Sequence, residues 1–175
     1  MYFPVLTLGP GRRVGIWTVG CPHNCIGCIS PDLRNLDNGS DVSVTELLGI
    51  IRSLPEVPDG FTVSGGEPFA QQDELAVLLS ELSLISDDII VFTGYTYEQL
   101  LERNNPSIDS ALSFCSMLVD GQYLEEHNDG VGMRGSNNQR FLRFKHEEIY
   151  ADAEIWPRAV QGVKYGDSFL HIGIP

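Results

Sequence analysis

No stretch of the 175 residues stays apolar long enough to cross a bilayer, which needs about 20 consecutive apolar residues. Positive charge is scarce: 11 Lys and Arg stand against 24 Asp and Glu, a formal charge of −13. Phosphate backbones are gripped by clusters of Lys and Arg, so this balance argues against a nucleic-acid-binding surface. The acidity itself reads first as solubility. Met1 to Pro10 has neither the basic leader nor the apolar core of a secretory signal, so none is expected. Internal repeats and low-complexity stretches are absent. Cysteine is limited to four residues, and without a signal they point to a reducing cytoplasm and to metal or redox use rather than disulfides. What remains is ordinary for a globular chain, 42% hydrophobic and 20% charged. The length suits one domain with a real core.

Three of the four cysteines fall within eight residues, Cys21-Pro22-His23-Asn24-Cys25-Ile26-Gly27-Cys28. Three thiolates on one short loop can grip three irons of a cubane iron–sulfur cluster and leave the fourth iron open for chemistry, whereas four cysteines would suit electron transfer or a structural metal. The competing readings are a zinc site, which usually takes four ligands in two separated pairs, and scattered buried thiols. Cys115 lies far along the chain and reads as a small core hydrophobe, with completion of a metal site as the alternative. His23 reads as a solvent-side loop residue, with support of a ligand as the alternative. Gly27 fits a loop that folds closely around its cargo.

Strand and helix patterns alternate along the chain. Val14 to Val19 reads as a strand running into the cysteine loop. A polar stretch from Pro31 to Asp41 follows. Ser43 with Glu46 is a capping-box signature, and Val44, Leu47, Leu48 and Ile51 repeat at helical spacing. Phe61 to Ser64 is a strand after a Pro55–Gly60 turn, and Gln71 to Leu84 carries Leu75, Leu78, Leu79 and Leu82 on one helical face. Ile89 to Phe92 is a strand covered on both faces. Thr96 with Gln99 caps a short helix, Ile108 to Phe114 is another, Met117 to Val119 is a strand, and Arg140 to Phe144 alternates as a last one. The tail from Tyr150 adds a strand at Phe169 to Ile172 or wraps over the surface.

This alternation predicts a parallel α/β sheet, whose chemistry collects at the carboxyl ends of its strands. The unusual sequences fall there: the cysteine loop, Ser64-Gly65-Gly66-Glu67, Thr93-Gly94-Tyr95, and Asp120-Gly121.

The Cys-x3-Cys-x2-Cys loop resembles that of the radical S-adenosylmethionine (SAM) enzymes. Gly9-Pro10-Gly11, Gly20-Cys21, Ser64-Gly65-Gly66-Glu67-Pro68, Val91-Phe92-Thr93-Gly94-Tyr95, Leu118-Val119-Asp120-Gly121 and Arg134-Gly135-Ser136-Asn137-Asn138-Gln139-Arg140 follow in the order of the anaerobic ribonucleoside-triphosphate reductase-activating family. The resemblance covers roughly residues 9 to 144. It implies a truncated TIM-like barrel with a parallel sheet: a core of residues 1–149 with its cluster loop at 20–29, and an extension at 150–175 packed on that core.

The resemblance also implies chemistry. The cofactors are a [4Fe-4S] cluster and SAM, which is cleaved reductively to a 5'-deoxyadenosyl radical. Cys21, Cys25 and Cys28 would hold the cluster, with Gly27 and Ile29 beside the cofactor. Ser64, Gly65, Gly66 and Glu67 correspond to the strand end that receives the methionine ammonium. Thr93, Gly94 and Tyr95 would line the adenosine pocket, Tyr95 having a core role as the alternative. Asp120 would touch cofactor or partner, or else form a turn. Arg134, Asn138 and Gln139 would stand at the mouth where a partner loop enters, a turn at Asn137-Asn138 being the alternative. The family usually carries an aromatic residue after its third cysteine; here Ile29 keeps apolar contact but loses stacking. The implied activity is activation of a glycyl radical enzyme, foremost the anaerobic ribonucleotide reductase, with a flavodoxin- or ferredoxin-type electron donor in the cytoplasm. Modification of another peptide or protein is the alternative, and a non-enzymatic redox module the third.

Overall fold

The protein, described by a computed structural model for residues 1–166 and 168–175, is built on a six-stranded mixed sheet. The strands are β1 (Tyr2–Val5), β2 (Arg13–Thr18), β3 (Gly60–Gly65), β4 (Ile89–Phe92), β5 (Met117–Asp120) and β6 (Arg140–Arg143), adjacent in chain order. β2 through β5 run parallel, pairing Ile16 with Val63, Val63 with Val91, and Val91 with Leu118. The two edge strands are antiparallel, which departs from an all-parallel sheet. No α-helix separates β1 from β2 or β5 from β6, where only a single 3-10 turn at Glu125–His127 intervenes, so the chain turns back on itself there. β1 itself was not anticipated, because Tyr2–Val5 holds only four residues and includes Pro4.

The crossovers carry α1 (Val44–Arg52), α2 (Gln72–Leu82), α3 (Tyr97–Glu102) and α4 (Pro106–Phe114). The start of α1 is the capping box expected from Ser43 and Glu46. The Glu46 N–H donates to Ser43 Oγ at 3.2 Å, and the Ser43 N–H donates to the Glu46 carboxylate at 2.9 Å. Thr96 and Gln99 do the same for α3, and Asn105 caps α4 ahead of Pro106.

Alternation along the strands divides the core in two. Val14, Ile16, Phe61, Val63, Ile89, Val91 and Leu118 face the helices, with fully buried Cys115 among them. Ile90, Met117 and Val119 face the other way, where Val5 and Phe141 join them. That second face is covered by the tail: Tyr150, Ala153, Ile172 and Ile174 pack on it. The tail continues as a hairpin of β7 (Val160–Tyr165) and β8 (Ser168–Gly173), which contains the expected strand at 169–172. Among the described residues, no helix is long and apolar enough to cross a membrane.

Candidate functional site

The carboxyl ends of the four parallel strands open into one cavity of about 410 Å³. This is within the usual range for small-molecule sites. Cys21, Cys25 and Cys28 form one wall, all free thiols and all partly buried. Ile29, Ser64, Gly65, Gly66, Thr93, Gly94 and Gln139 also line it, so ten of the anticipated residues share one space. Gly27, Glu67, Tyr95, Asp120, Arg134 and Asn138 stand outside the lining.

Close backbone contacts fix the cysteine loop. Gly20, at φ +96°, donates its N–H to Leu33 O at 2.9 Å and accepts from the Glu67 N–H at 2.9 Å. The Gly66 N–H donates to Thr18 O at 2.8 Å. A Cβ on Gly65 would lie 2.2 Å from Thr18 O, and one on Gly66 would lie 2.3 Å from Gly20 O. Both glycines are therefore demanded by the neighbouring strand and loop, whatever occupies the cavity. Gly27 takes φ +68° with Glu125 packed against it.

Glu67 lies behind the glycines and is fully buried. Its carboxylate accepts from the Phe69 N–H (2.9 Å), the Thr93 hydroxyl (2.9 Å) and the Gly94 N–H (2.7 Å), joining the ends of β3 and β4. The fourth neighbour is His23, whose Nε2 lies 3.3 Å from Glu67 Oε2 in a geometry short of a hydrogen bond. The His23 ring also meets Tyr95 edge-on at 4.4 Å, and a Cβ on Gly94 would lie 2.5 Å from it. His23 therefore does not stand on the solvent side of the loop; it turns inward, with 15% of its side chain exposed. Tyr95 packs against the helix-side core and carries the Arg103 guanidinium 3.9 Å from its ring centre.

The later motifs hold the rim. Asp120 is fully buried and accepts from the Tyr97 N–H at 2.7 Å and from Arg140, which also grips Glu98. Gln139 accepts from the Gly135 and Ser136 N–H groups and donates to Gly121 O at 2.8 Å. Asn138 donates to Gln122 O, and Arg134 donates to Gln139 O. Gly121, named with Asp120 at its strand end, also lines the cavity, and Trp17, Phe92 and Tyr123 line it without having been singled out for it, as do Val160 and His171–Pro175 of the tail. For Trp17 and Phe92 the signal was available, since each lies at a strand end; for the tail residues there was none.

Burial foremost, with the negative charges of Glu67 and the other two cysteines behind it, pushes the Cys21 thiol up. A cation bound beside Cys21 reverses that pressure, because a coordinating thiol is deprotonated.

Residues 7–142 match the family described as a 4Fe-4S single cluster domain. The chain belongs to this family. It is 32% identical over 152 residues to the anaerobic ribonucleoside-triphosphate reductase-activating protein of Vibrio cholerae, covering 82% of this chain and 96% of that protein. The activating protein of the same name from Enterobacteria phage T4 is 29% identical over 137 residues, 75% of this chain and 84% of its own length. A pyruvate formate-lyase-activating enzyme from Staphylococcus epidermidis is 28% identical over 160 residues, 87% of this chain and 62% of that longer enzyme. The protein is a radical SAM oxidoreductase of the activating-enzyme group, with a [4Fe-4S] cluster and SAM as its cofactors.

The residues present fit those groups. Three thiols on one wall supply the donors an iron–sulfur cluster takes. Cys115, sealed in the helix-side core with its thiol pushed up to about 12 by burial, is not among the cavity-lining residues. Among the described residues no three His, Cys, Asp or Glu groups close around a point as they would about a single ion. The case therefore rests on the thiol chemistry and on the cavity these thiols share with the strand ends.

Proposed function

We propose that this protein installs a glycyl radical on a partner enzyme, and that the partner is the anaerobic ribonucleotide reductase. The observation that carries this reading is the single cavity in which the three cysteines meet the carboxyl ends of four parallel strands. When bound, the cluster and SAM supply a hydrogen-abstracting carbon radical. The protein's own contribution is placement. Cys21, Cys25 and Cys28 would hold the cluster through their thiolates. The exposed backbone at Ser64, Gly65 and Gly66 receives the amino-acid end of SAM, with Glu67 fixing that strand end from behind. Thr93, Gly94 and Ile29 border the nucleoside end. Gln139 keeps the rim beside Gly121 in place, and Arg134 and Asn138 hold the loop that forms it. Tyr95 and Asp120 act through packing and through their ties to His23 and Arg140.

On the same reading the sheet is a truncated barrel of residues 1–149, with 150–175 as an extension, and the electron comes from a flavodoxin- or ferredoxin-type donor. A second reading, a different glycyl radical enzyme as target, draws on the 28% identity to the pyruvate formate-lyase-activating enzyme.

The test mixes anaerobically reconstituted protein, reductant, SAM and the reductase encoded in the same genome. A glycyl doublet by electron paramagnetic resonance is expected on the reductase. SAM cleavage without that doublet refutes the assignment of target, and a doublet on pyruvate formate-lyase instead establishes the second reading.

A further inference from the structure

Arg158 lies beyond the 7–142 span of the family match, two residues ahead of β7. Its side chain is 6% exposed, a deep burial for a charged group outside the sheet. Every nitrogen of the guanidinium donates. Nε reaches Gly132 O at 3.4 Å, Nη1 reaches Asn128 Oδ1 at 2.7 Å and Pro175 O at 2.9 Å, and Nη2 reaches Gly135 O at 3.2 Å. The Asp129 carboxylate stands 3.7 Å from Arg158 and 3.5 Å from Arg134, so two guanidiniums share one counter-charge. The loop from Asn128 to Gly135 is therefore folded around a cation that the tail inserts.

One of those acceptors leads into the cavity of the three cysteines. Gly135 lines it, together with Gly121, Tyr123 and Gln139. The Gly135 N–H donates to Gln139 Oε1 at 2.8 Å, and Gln139 Nε2 donates in turn to Gly121 O at 2.8 Å. The Tyr123 ring lies so close over Gly135 that a Cβ there would come within 2.8 Å of it. Arg158 thus acts on four lining residues through a single carbonyl, without lining that cavity itself. A planar fork suits this task, because its donors fix several acceptors in one geometry; a lysine ammonium does not. Gly132 and Gly135 are both buried, so without the fork their carbonyls lose a donor where water does not replace it.

We infer that Arg158 is a positioning residue of the cofactor site: from outside the cavity it sets the edge formed by Gly121, Tyr123, Gly135 and Gln139, against which SAM binds. The extension at 150–175 then serves SAM binding as well as covering the sheet. SAM in the cavity is all that this requires; the identity of the activated enzyme does not enter.

The test titrates SAM into cluster-loaded, dithionite-reduced protein with no partner present and follows the change in the cluster's electron paramagnetic resonance spectrum. Arg158→Met keeps an apolar stem and removes the fork. Gln161→Ala is the control: it removes the bonds that tie the hairpin to Leu6 N–H and Pro4 O and leaves Arg158 untouched. The SAM dissociation constant should rise about tenfold in Arg158→Met and stay within about twofold of the parent in Gln161→Ala. Iron content and the spectrum without SAM should match the parent in both, since none of the Arg158 bonds reaches the cysteine loop. An unchanged dissociation constant in Arg158→Met overturns the inference. So does an equal rise in Gln161→Ala, because Arg158 is then one tail anchor among several. Should Arg158→Met fail to take up its cluster, Arg158→Lys decides by the same titration: a rise of about threefold or more supports the inference, and the parent value refutes it. Failure of the proposed target shows separately, in the missing glycyl doublet, whereas a parent whose spectrum ignores SAM overturns the inference itself.

Discussion

Glu67 sits where a carboxylate has no water, and each of its oxygens is accounted for by the protein. Replacing it with Ala strands the Phe69 and Gly94 N–H groups in a buried site. The expected loss is about 3 kcal/mol, read as a lower urea midpoint of the metal-free protein. His23 and Gly94 allow a sharper test. Gly94→Ala forces a methyl to within 2.5 Å of the His23 ring, an overpacking that costs about 1–3 kcal/mol. In a His23→Ala background that cost should nearly vanish, so a double-mutant cycle measures the contact directly. The same cycle, read as iron retained after reconstitution, reports whether His23 holds the cysteine loop in place. This contact was not legible in the sequence. Cys21, Cys25 and Cys28 announce themselves by spacing, but His23 meets a residue about 70 positions away at Gly94, and nothing local separates a histidine turned inward from one turned out. Cys115 was legible, as an isolated cysteine behind an apolar helix. With its thiol raised to about 12 and no exposure, it should resist alkylation in the folded metal-free protein while the other three react.

Elements were legible wherever a local rule marked them. The capping box at Ser43 and Glu46 gave the start of α1, and the unbroken apolar run gave β4 at Ile89–Phe92. β1 and β7 carried no such mark, and both depend on partners supplied from elsewhere in the chain. Ser43→Ala should cost about 1 kcal/mol in thermal or urea unfolding and leave SAM cleavage unchanged, since α1 lies on the helix-covered face. A second tie links α3 to β6. Arg140 grips Glu98 at 2.7 Å and holds its carboxyl down at about 2, below the ordinary 4.5. A carboxyl depressed on folding adds stability that is fully present above the unfolded value and is lost as pH falls through the folded one. The difference in melting temperature between the parent and Glu98→Gln should therefore be constant above pH 5 and shrink between about pH 4.5 and 2. Glu98 is exposed, so the difference should be small and should shrink further with salt.

Across the whole molecule the two ends of the sheet divide the labour. The carboxyl ends carry the glycines and cysteines of the cavity. At the amino ends lies a buried polar hub around Arg13, the first residue of β2, which is 0% exposed. Its guanidinium donates to Thr62 Oγ1 at 2.8 Å, to Phe61 O at 2.7 Å, and to the Asp88 carboxylate at 2.7 Å. The Tyr150 hydroxyl donates to the same carboxylate, so the base of the tail is anchored at this end while its hairpin walls the cavity at the other. Burial keeps the Tyr150 phenol protonated well above its ordinary range, so this tie persists through neutral and moderately alkaline pH. Removing one partner of a buried ion pair leaves the other charge unpaired, whereas removing both together is far milder. Arg13→Ala should lower stability by about 3–5 kcal/mol, while Arg13→Met combined with Asp88→Asn should recover most of that loss. Tyr150→Phe should cost about 1 kcal/mol and loosen the tail without touching the sheet. Limited proteolysis should then cut within 150–175 sooner than in the parent, while the amides of β2–β4 keep their exchange protection. Equal cleavage rates in parent and Tyr150→Phe would show that Ile172 and Ile174 alone hold the tail down.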